Sequence, residues 1–271
     1  MIPRDFITEW SQRAPWSQVH QIEQDLVICR ALVEIFSQPD LADKLAFRGG
    51  TSLYKLYLSP ARYSEDIDLV QIKPGPIGEL LDGLRKALNP WLGTPKWKQT
   101  EGRVTFRYRF PSEDGLLLTL KIEINTREHF TVYGLQKIPF KLDSRWFSGS
   151  VGIPTYTLNE LLGTKMRALY QRKKGRDLFD LWYAFIGSGQ SPVPEQVVSV
   201  FLQYMRDGGY QISRAMFEQN FFEKKEDAQF RKDIEPLLVV DTTWNFDQAF
   251  AYIMENLIIL IPGDPWRGCE I

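Results

Sequence analysis

The sequence predicts an α+β fold, with a small mixed sheet in an α/β N-terminal half followed by an all-helical C-terminal half. Period-two alternation marks strands at residues 64–69 and 103–124. Strand signals stop beyond about residue 154, and helix-period apolar patterns fill the chain from there to residue 260. The 271 residues, 44% hydrophobic and 25% charged, have an ordinary globular composition. Their length suits two domains, expected at 1–153 and 154–271.

Between Trp16 and Phe36, apolar residues recur at helical spacing with acids between them, giving a long amphipathic helix. A short apolar strand then reaches Gly49 and Gly50, and a new helix pattern begins at Leu53, Leu56 and Tyr57. In YSEDIDLV, Ser64, Asp66 and Asp68 fall on one side of a strand and Ile67 and Leu69 on the other. Residues 78–88 follow as a helix, and 89–100 as an irregular connection. Residues 103–124 form a hairpin around the turn PSEDG, and no element is assigned from there to residue 154. Helices are expected at 157–172, 177–186, 195–206, 213–223 and 244–260, the first opened by a Thr157/Glu160 capping box and ended by Gly175.

Several functions are excluded by composition. Apolar runs such as Leu257 to Ile261 are far below the roughly 20 residues of a membrane span. Acids occupy the opening MIPRDFITEW where a signal peptide needs an apolar core, so neither membrane insertion nor secretion is expected. Cys29, Cys269, His20 and His129 supply neither a disulfide framework nor a Cys/His metal site, which fits a reducing cytoplasm. At a net charge of −1, nucleic-acid binding would need a local basic patch.

Asp66 and Asp68 project side by side from one strand face, and adjacent carboxylates repel unless a cation sits between them. A hard divalent ion, Mg²⁺ or Mn²⁺, suits such a pair, with Glu123 as third carboxylate because Ile122 and Ile124 fix it on the opposite face of its strand. D-x-D also arises by chance on strand ends. Gly49-Gly50-Thr51-Ser52, between strand and helix, strengthens the functional reading: backbone N–H groups and a helix N-terminus suit phosphate, and Thr51 and Ser52 add hydroxyl donors. Ser64 lies on the Asp66 face, near the expected metal.

FRGGTSLYKLYL followed by RYSEDIDLV resembles the first two motifs of the AbiEii-type nucleotidyltransferase toxins, a branch of the DNA polymerase β-like superfamily that includes the MenT toxins. TLNELLGTKMRALYQRKKGRDLFDLW is similar to the third and fourth, an internal lysine followed by R-D-x-x-D. Arg48 departs from the general superfamily pattern, which has an apolar residue there. The resemblance implies a polymerase β-like nucleotidyltransferase core whose active cleft is completed by the helical domain. Asp66, Asp68, Lys165 and Asp180 would be catalytic, with Asp177 as the alternative to Asp180, and Gly49, Gly50, Thr51, Ser52, Lys55 and Ser64 would bind nucleotide. It further implies NMP transfer from an NTP, RNA and in particular tRNA as acceptor, and a cognate antitoxin, for which a transcriptional regulator is one candidate. A nucleotide-binding module without transfer and a protein-directed transferase or kinase stand as alternatives.

Independently of the resemblance, Lys165 lies on the apolar stripe of Leu158, Leu161, Leu162 and Leu169. Either it snorkels to water or it points into a cleft toward triphosphate; on the cleft reading its removal is expected to weaken triphosphate binding without lowering stability, and on the snorkelling reading the reverse. Asp177 and Asp180 share a face of the next helix, and Asp180 either orients Lys165 or acts as a base. Six basic residues and no acid lie between Leu161 and Arg176. Arg103, Arg107 and Arg109 offer a second basic stripe, and the two together are expected to hold a phosphate backbone.

Overall fold

The computed structural model describes residues 2–240 and 242–269. The chain divides into two compact units, one of Met1–Leu56 and Pro60–Tyr156, the other of Tyr57–Ser59 and Thr157–Ile271.

The first unit starts with α1 (Arg4–Trp10), α2 (Val19–Phe36) and α3 (Pro39–Ala42). Then come β1 (Leu45–Arg48), α4 (Gly49–Leu56), β2 (Asp66–Gln71) and α5 (Gly78–Leu92). Five further strands end it: β3 (Lys96–Thr100), β4 (Arg103–Pro111), β5 (Leu117–Asn125), β6 (Leu135–Asp143) and β7 (Ser148–Tyr156). They form one mixed seven-stranded sheet in the order β3-β4-β5-β2-β1-β7-β6, with β2 parallel to β5 and antiparallel to β1. One face is core, where alternation buries Ile67 and Leu69 of β2, Phe106, Tyr108 and Phe110 of β4, and Ile122 and Ile124 of β5. Helix α2 is buried over most of its length and packs on β5, β6 and β7.

Two expectations fail here. Residues 89–100 are not irregular: α5 continues through Pro90 to Leu92, and Lys96–Thr100 is an edge strand, fully exposed, with Trp97 as its single apolar residue. Strands β6 and β7 lie in the stretch where no element was expected, because their prolines and glycines dilute the strand signal; Pro139 sits on the edge strand β6, where a missing N–H is tolerated. The end of α5 is tied to the β6–β7 turn by Arg30 of α2. Its guanidinium lies 4.2 Å from the Trp91 ring and 4.7 Å from those of Trp146 and Phe147, and the two indoles meet edge-on at 5.8 Å.

The second unit is helical: α6 (Leu158–Gln171), α7 (Gly175–Ile186), α8 (Pro194–Asp207), α9 (Arg214–Lys225), α10 (Ala228–Lys232) and α11 (Phe246–Asn256). Thr157 accepts the Glu160 N–H at the start of α6, while the Glu160 carboxylate receives the Tyr204 hydroxyl of α8. Gly175 begins α7 rather than ending α6. A Cβ there would lie 2.1 Å from the Phe230 carbonyl, so only glycine lets α7 start against α10. An aromatic core joins the helices, with Phe221 stacked on Phe250 at 4.2 Å and Trp182 meeting Trp244 edge-on at 5.4 Å.

Candidate active site

In the first unit, β1 runs into the glycine turn with β2 beside it, so that Arg48 and Asp68 are paired across the ladder. Gly49 has φ +83°, and a Cβ on it would lie 2.2 Å from an Asp68 carboxylate oxygen. Conformation and space both require glycine at this position. On the other side of β2, Asp66 faces Lys121 and Asp68 faces Glu123 in the parallel ladder with β5. The three predicted carboxylates therefore share the polar face of two adjacent strands, Glu123 being held there by buried Ile122 and Ile124.

Sequence reading overlooked Lys121, although its alternation with Ile122 and Glu123 puts it on that same face. Its ammonium lies 2.7 Å from Asp66 Oδ2 and also pairs with Glu123, which Arg103 approaches to 3.1 Å. Burial, reinforced by the charges of Asp66 and Glu123 and opposed by Arg48, holds the Asp68 carboxyl above the usual carboxylate range. Arg48, the departure from the superfamily pattern, is thus the counter-charge of Asp68, and it is itself anchored 2.7 Å from Glu128.

As a ready-made ligand set, the expected metal triad needs correction. Among the described residues no three Asp, Glu, His or Cys side chains converge as a metal site, and the Lys121 ammonium is inserted between Asp66 and Glu123. The donor chemistry nevertheless fits a hard divalent cation. These are oxygen ligands, burial and then the charges of Asp66 and Glu123 raise Asp68, and a cationic group already bridges two of them.

The expected nucleotide-binding hydroxyls are turned inward. Thr51 Oγ1 donates to the Asp66 carbonyl at 2.5 Å and lies 2.8 Å from Ser64 Oγ, and Ser52 donates to the Gly49 carbonyl at 2.9 Å. Both Thr51 and Ser52 are buried. These groups fix the turn instead of presenting hydroxyls to a ligand, and Gly50 leaves room for the Arg62 guanidinium. Lys55 is likewise committed: its ammonium lies 2.5 Å from Asp25, which also accepts the Trp10 indole N–H at 2.9 Å, so it ties α4 to α2.

In the second unit, Lys165 neither snorkels nor stands alone on its apolar stripe. It is 7% exposed, and its ammonium lies 3.1 Å from Asp177 and 2.8 Å from Asp180, both fully buried. Asp177 also receives two N–H bonds from Arg172, at 2.6 and 2.8 Å. Burial pushes the Asp177 carboxyl up, but Lys165 and Arg172 outweigh it and leave the group below its ordinary value. Lys224 of α9, another residue missed in the sequence, donates to the carbonyls of Leu169 and Tyr170 and so closes the C-terminus of α6. Its burial lowers the ammonium to about 8.

The two basic stripes differ. Arg172 binds Asp177, Lys173 binds Asp227, and Lys174 and Arg176 both pair with Asp233. Each cation of that run thus has an acidic partner, and Asp227 and Asp233 lie more than fifty residues away in sequence. The expectation that it holds phosphate is corrected accordingly. On β3 and β4, by contrast, Lys96, Lys98, Arg107 and Arg109 are exposed and make no ion pair among the described residues.

A mixed sheet bearing paired acids beside a glycine turn, followed by a helical unit, has solved counterparts among the nucleotidyltransferases. MenT4, a nucleotidyltransferase toxin of Mycobacterium tuberculosis, is 16% identical with a TM-score of 0.67, over 97% of this chain and 91% of that one. JHP933 of Helicobacter pylori is 18% identical with a TM-score of 0.57, over 90% and 93%. These likenesses establish the fold. The family model of the nucleotidyl transferase AbiEii toxins of type IV toxin–antitoxin systems matches residues 30–252, and the chain belongs to that family. It is accordingly a nucleotidyltransferase of a toxin–antitoxin family, for which an NTP substrate and an antitoxin partner follow. No curated protein sequence matches it. No helix among the described residues is long and apolar enough to cross a membrane.

Proposed function

We propose that the protein transfers a nucleoside monophosphate from an NTP to an RNA acceptor, tRNA in particular, with Asp66, Asp68 and Glu123 as the ligands of Mg²⁺ or Mn²⁺. The observation that carries this reading is the β2–β5 register, which aligns Asp68 with Glu123 on the polar face directly beside Gly49. A bound divalent cation would neutralise phosphate charge and orient the attacking and leaving oxygens. An acceptor hydroxyl bonds to the α-phosphorus, the α–β bridge breaks, pyrophosphate leaves, and the hydroxyl proton passes to the carboxylate face. Thr51, Ser52 and Ser64 shape the turn, and the N-terminal backbone of α4 receives phosphate through its N–H groups and dipole. Asp177 and Asp180 position the Lys165 ammonium, which favours the orienting role for Asp180 over the base. Cytoplasmic action follows from an NTP and an RNA as substrates.

The test is incubation of purified protein with each α-labelled NTP and, separately, tRNA or protein acceptors. Label on tRNA, lost in Asp68→Asn, is expected. Label on protein alone would move the acceptor to a polypeptide hydroxyl, and label on neither would leave a nucleotide-binding module.

A further inference from the structure

Beyond the carboxylates the polar face of the sheet continues outward to its edge. Residues opposed across the β4–β5 and β3–β4 ladders share a face, so Arg107 stands beside Lys121, and Lys96 beside Arg107. Arg109 and Lys98 lie one alternation away on the same face. The opposite face of β4 is buried core, and Trp97 turns that way, stacking on Phe106 at 6.4 Å. Four exposed cations without ion pairs among the described residues thus occupy the two strands next to the carboxylate-bearing pair. At about 4.8 Å between strands, Lys96 and Lys98 lie roughly 14 Å from β2.

Lysines on an edge strand commonly guard against strand pairing, but β4 is an inner strand, and its arginines serve no such purpose. In a chain of net charge −1, whose other basic run is ion-paired with Asp177, Asp227 and Asp233, a patch of this density without acidic partners among the described residues calls for an external anion. Resting on the function proposed above, we propose that the polar face of β3 and β4 docks the sugar–phosphate backbone of the acceptor RNA, leading its reacting end to Asp66 and Asp68. A nucleic-acid backbone carries charge at every unit, as a stripe of successive cations requires, and the stripe is continuous with the centre the acceptor must reach. Trp97 is half exposed but lies on the other face, beside Phe106, so no aromatic side chain of β3 or β4 shares the face of the stripe and docking is independent of base sequence.

The test compares wild type, the fourfold variant Lys96→Gln, Lys98→Gln, Arg107→Gln, Arg109→Gln, and the control Lys173→Gln, Lys174→Gln. Affinity for tRNA and for a 20-nucleotide oligouridylate is measured from 50 to 300 mM salt, with a fluorescent NTP analogue and thermal melting alongside. The fourfold variant should bind RNA at least about tenfold more weakly at low salt. Its log–log salt slope should flatten by about 0.7 per cation removed on the single strand, with NTP affinity and melting temperature retained. The control should keep the wild-type slope. A fourfold variant with wild-type RNA affinity and slope overturns the platform, as does an equal loss in the control. Wild-type transfer to RNA with unchanged binding in the fourfold variant would remove the platform alone. Platform-dependent RNA binding without any NMP transfer would instead keep the platform and remove the proposed reaction.

Discussion

Each unit contains a lysine between two carboxylates, and the two arrangements differ in environment. In the sheet, Lys121 bridges Asp66 and Glu123, with side-chain exposures of 27%, 36% and 18%. In the helical unit, Lys165 bridges Asp177 and Asp180 at 8%, 0% and 0%. In the first, water and side-chain motion are available, so the lysine is one exchangeable cation among those the carboxylates can take. In the second, each charge is there because its partner is, and loss of any one leaves a buried charge uncompensated. Similar ion pairs thus form a partly exposed surface cluster in one unit and an internal brace in the other.

The sharpest way to break this contrast is at the carboxylates. Asp66→Asn or Asp68→Asn should reduce NMP transfer by about 100-fold or more, the scale of losing a group that stabilises transition-state charge, without lowering the melting temperature. Near wild-type transfer in either variant at equal expression would overturn the assignment of the sheet cluster. Next in size, Lys165→Ala should cost about 3–5 kcal/mol in denaturant unfolding, as breaking a buried pair does. This reverses the expectation from its apolar stripe alone, which ignored the two acids waiting on α7. Adding Asp177→Asn and Asp180→Asn should restore much of the loss; no recovery would mean the cluster is not one electrostatic unit.

Titration gives a smaller effect of opposite sign in the two clusters. Asp177 is held below its unfolded value, so the stability it contributes is present above that value, near 3.8, and is lost as pH falls through the folded pKa. Asp68 is held above its unfolded value, so its contribution favours the folded state in acid and is lost as pH rises through its folded pKa. Melting curves from pH 3 to 7 should therefore lose part of their acid instability in Asp177→Asn, whereas Asp68→Asn should raise the melting temperature at pH 7. Matching pH curves for the two variants would erase the distinction. The smallest effect belongs to Lys121→Ala, within about 1 kcal/mol of wild type, because the pairs it breaks are partly exposed.

What the sequence disclosed follows from the range of the interactions involved. Period-two alternation is local: it put Asp66 and Asp68 on one face of their strand and Glu123 opposite Ile122 and Ile124 on its own, and the β2–β5 ladder then brought the three together. The Gly49 conformation is local too. Strand β3 escaped because Lys96–Thr100 carries a single apolar residue and owes its conformation to the ladder with β4. Lys55 and the 172–176 run were misjudged for one reason: Asp25, Asp227 and Asp233, which neutralise them, are remote in sequence and adjacent only after folding. Lys165 was correctly singled out as anomalous, but its counter-ions on α7 became visible only once the chain turned back at Arg172–Lys174.

The two edge-on indole pairs give each unit its own optical signature. Trp91 with Trp146 sits at the Arg30 seat of the sheet unit, and Trp182 with Trp244 in the helical core. Closely spaced indoles at a steep angle couple their excited states and give a paired circular-dichroism band in the ultraviolet. Trp146→Phe should erase one couplet and Trp182→Phe the other, so the band left in each variant reports on a single unit. Heating the two variants then reads whether the carboxylate-bearing sheet and the lysine-braced helices melt together or in succession, without any label or ligand.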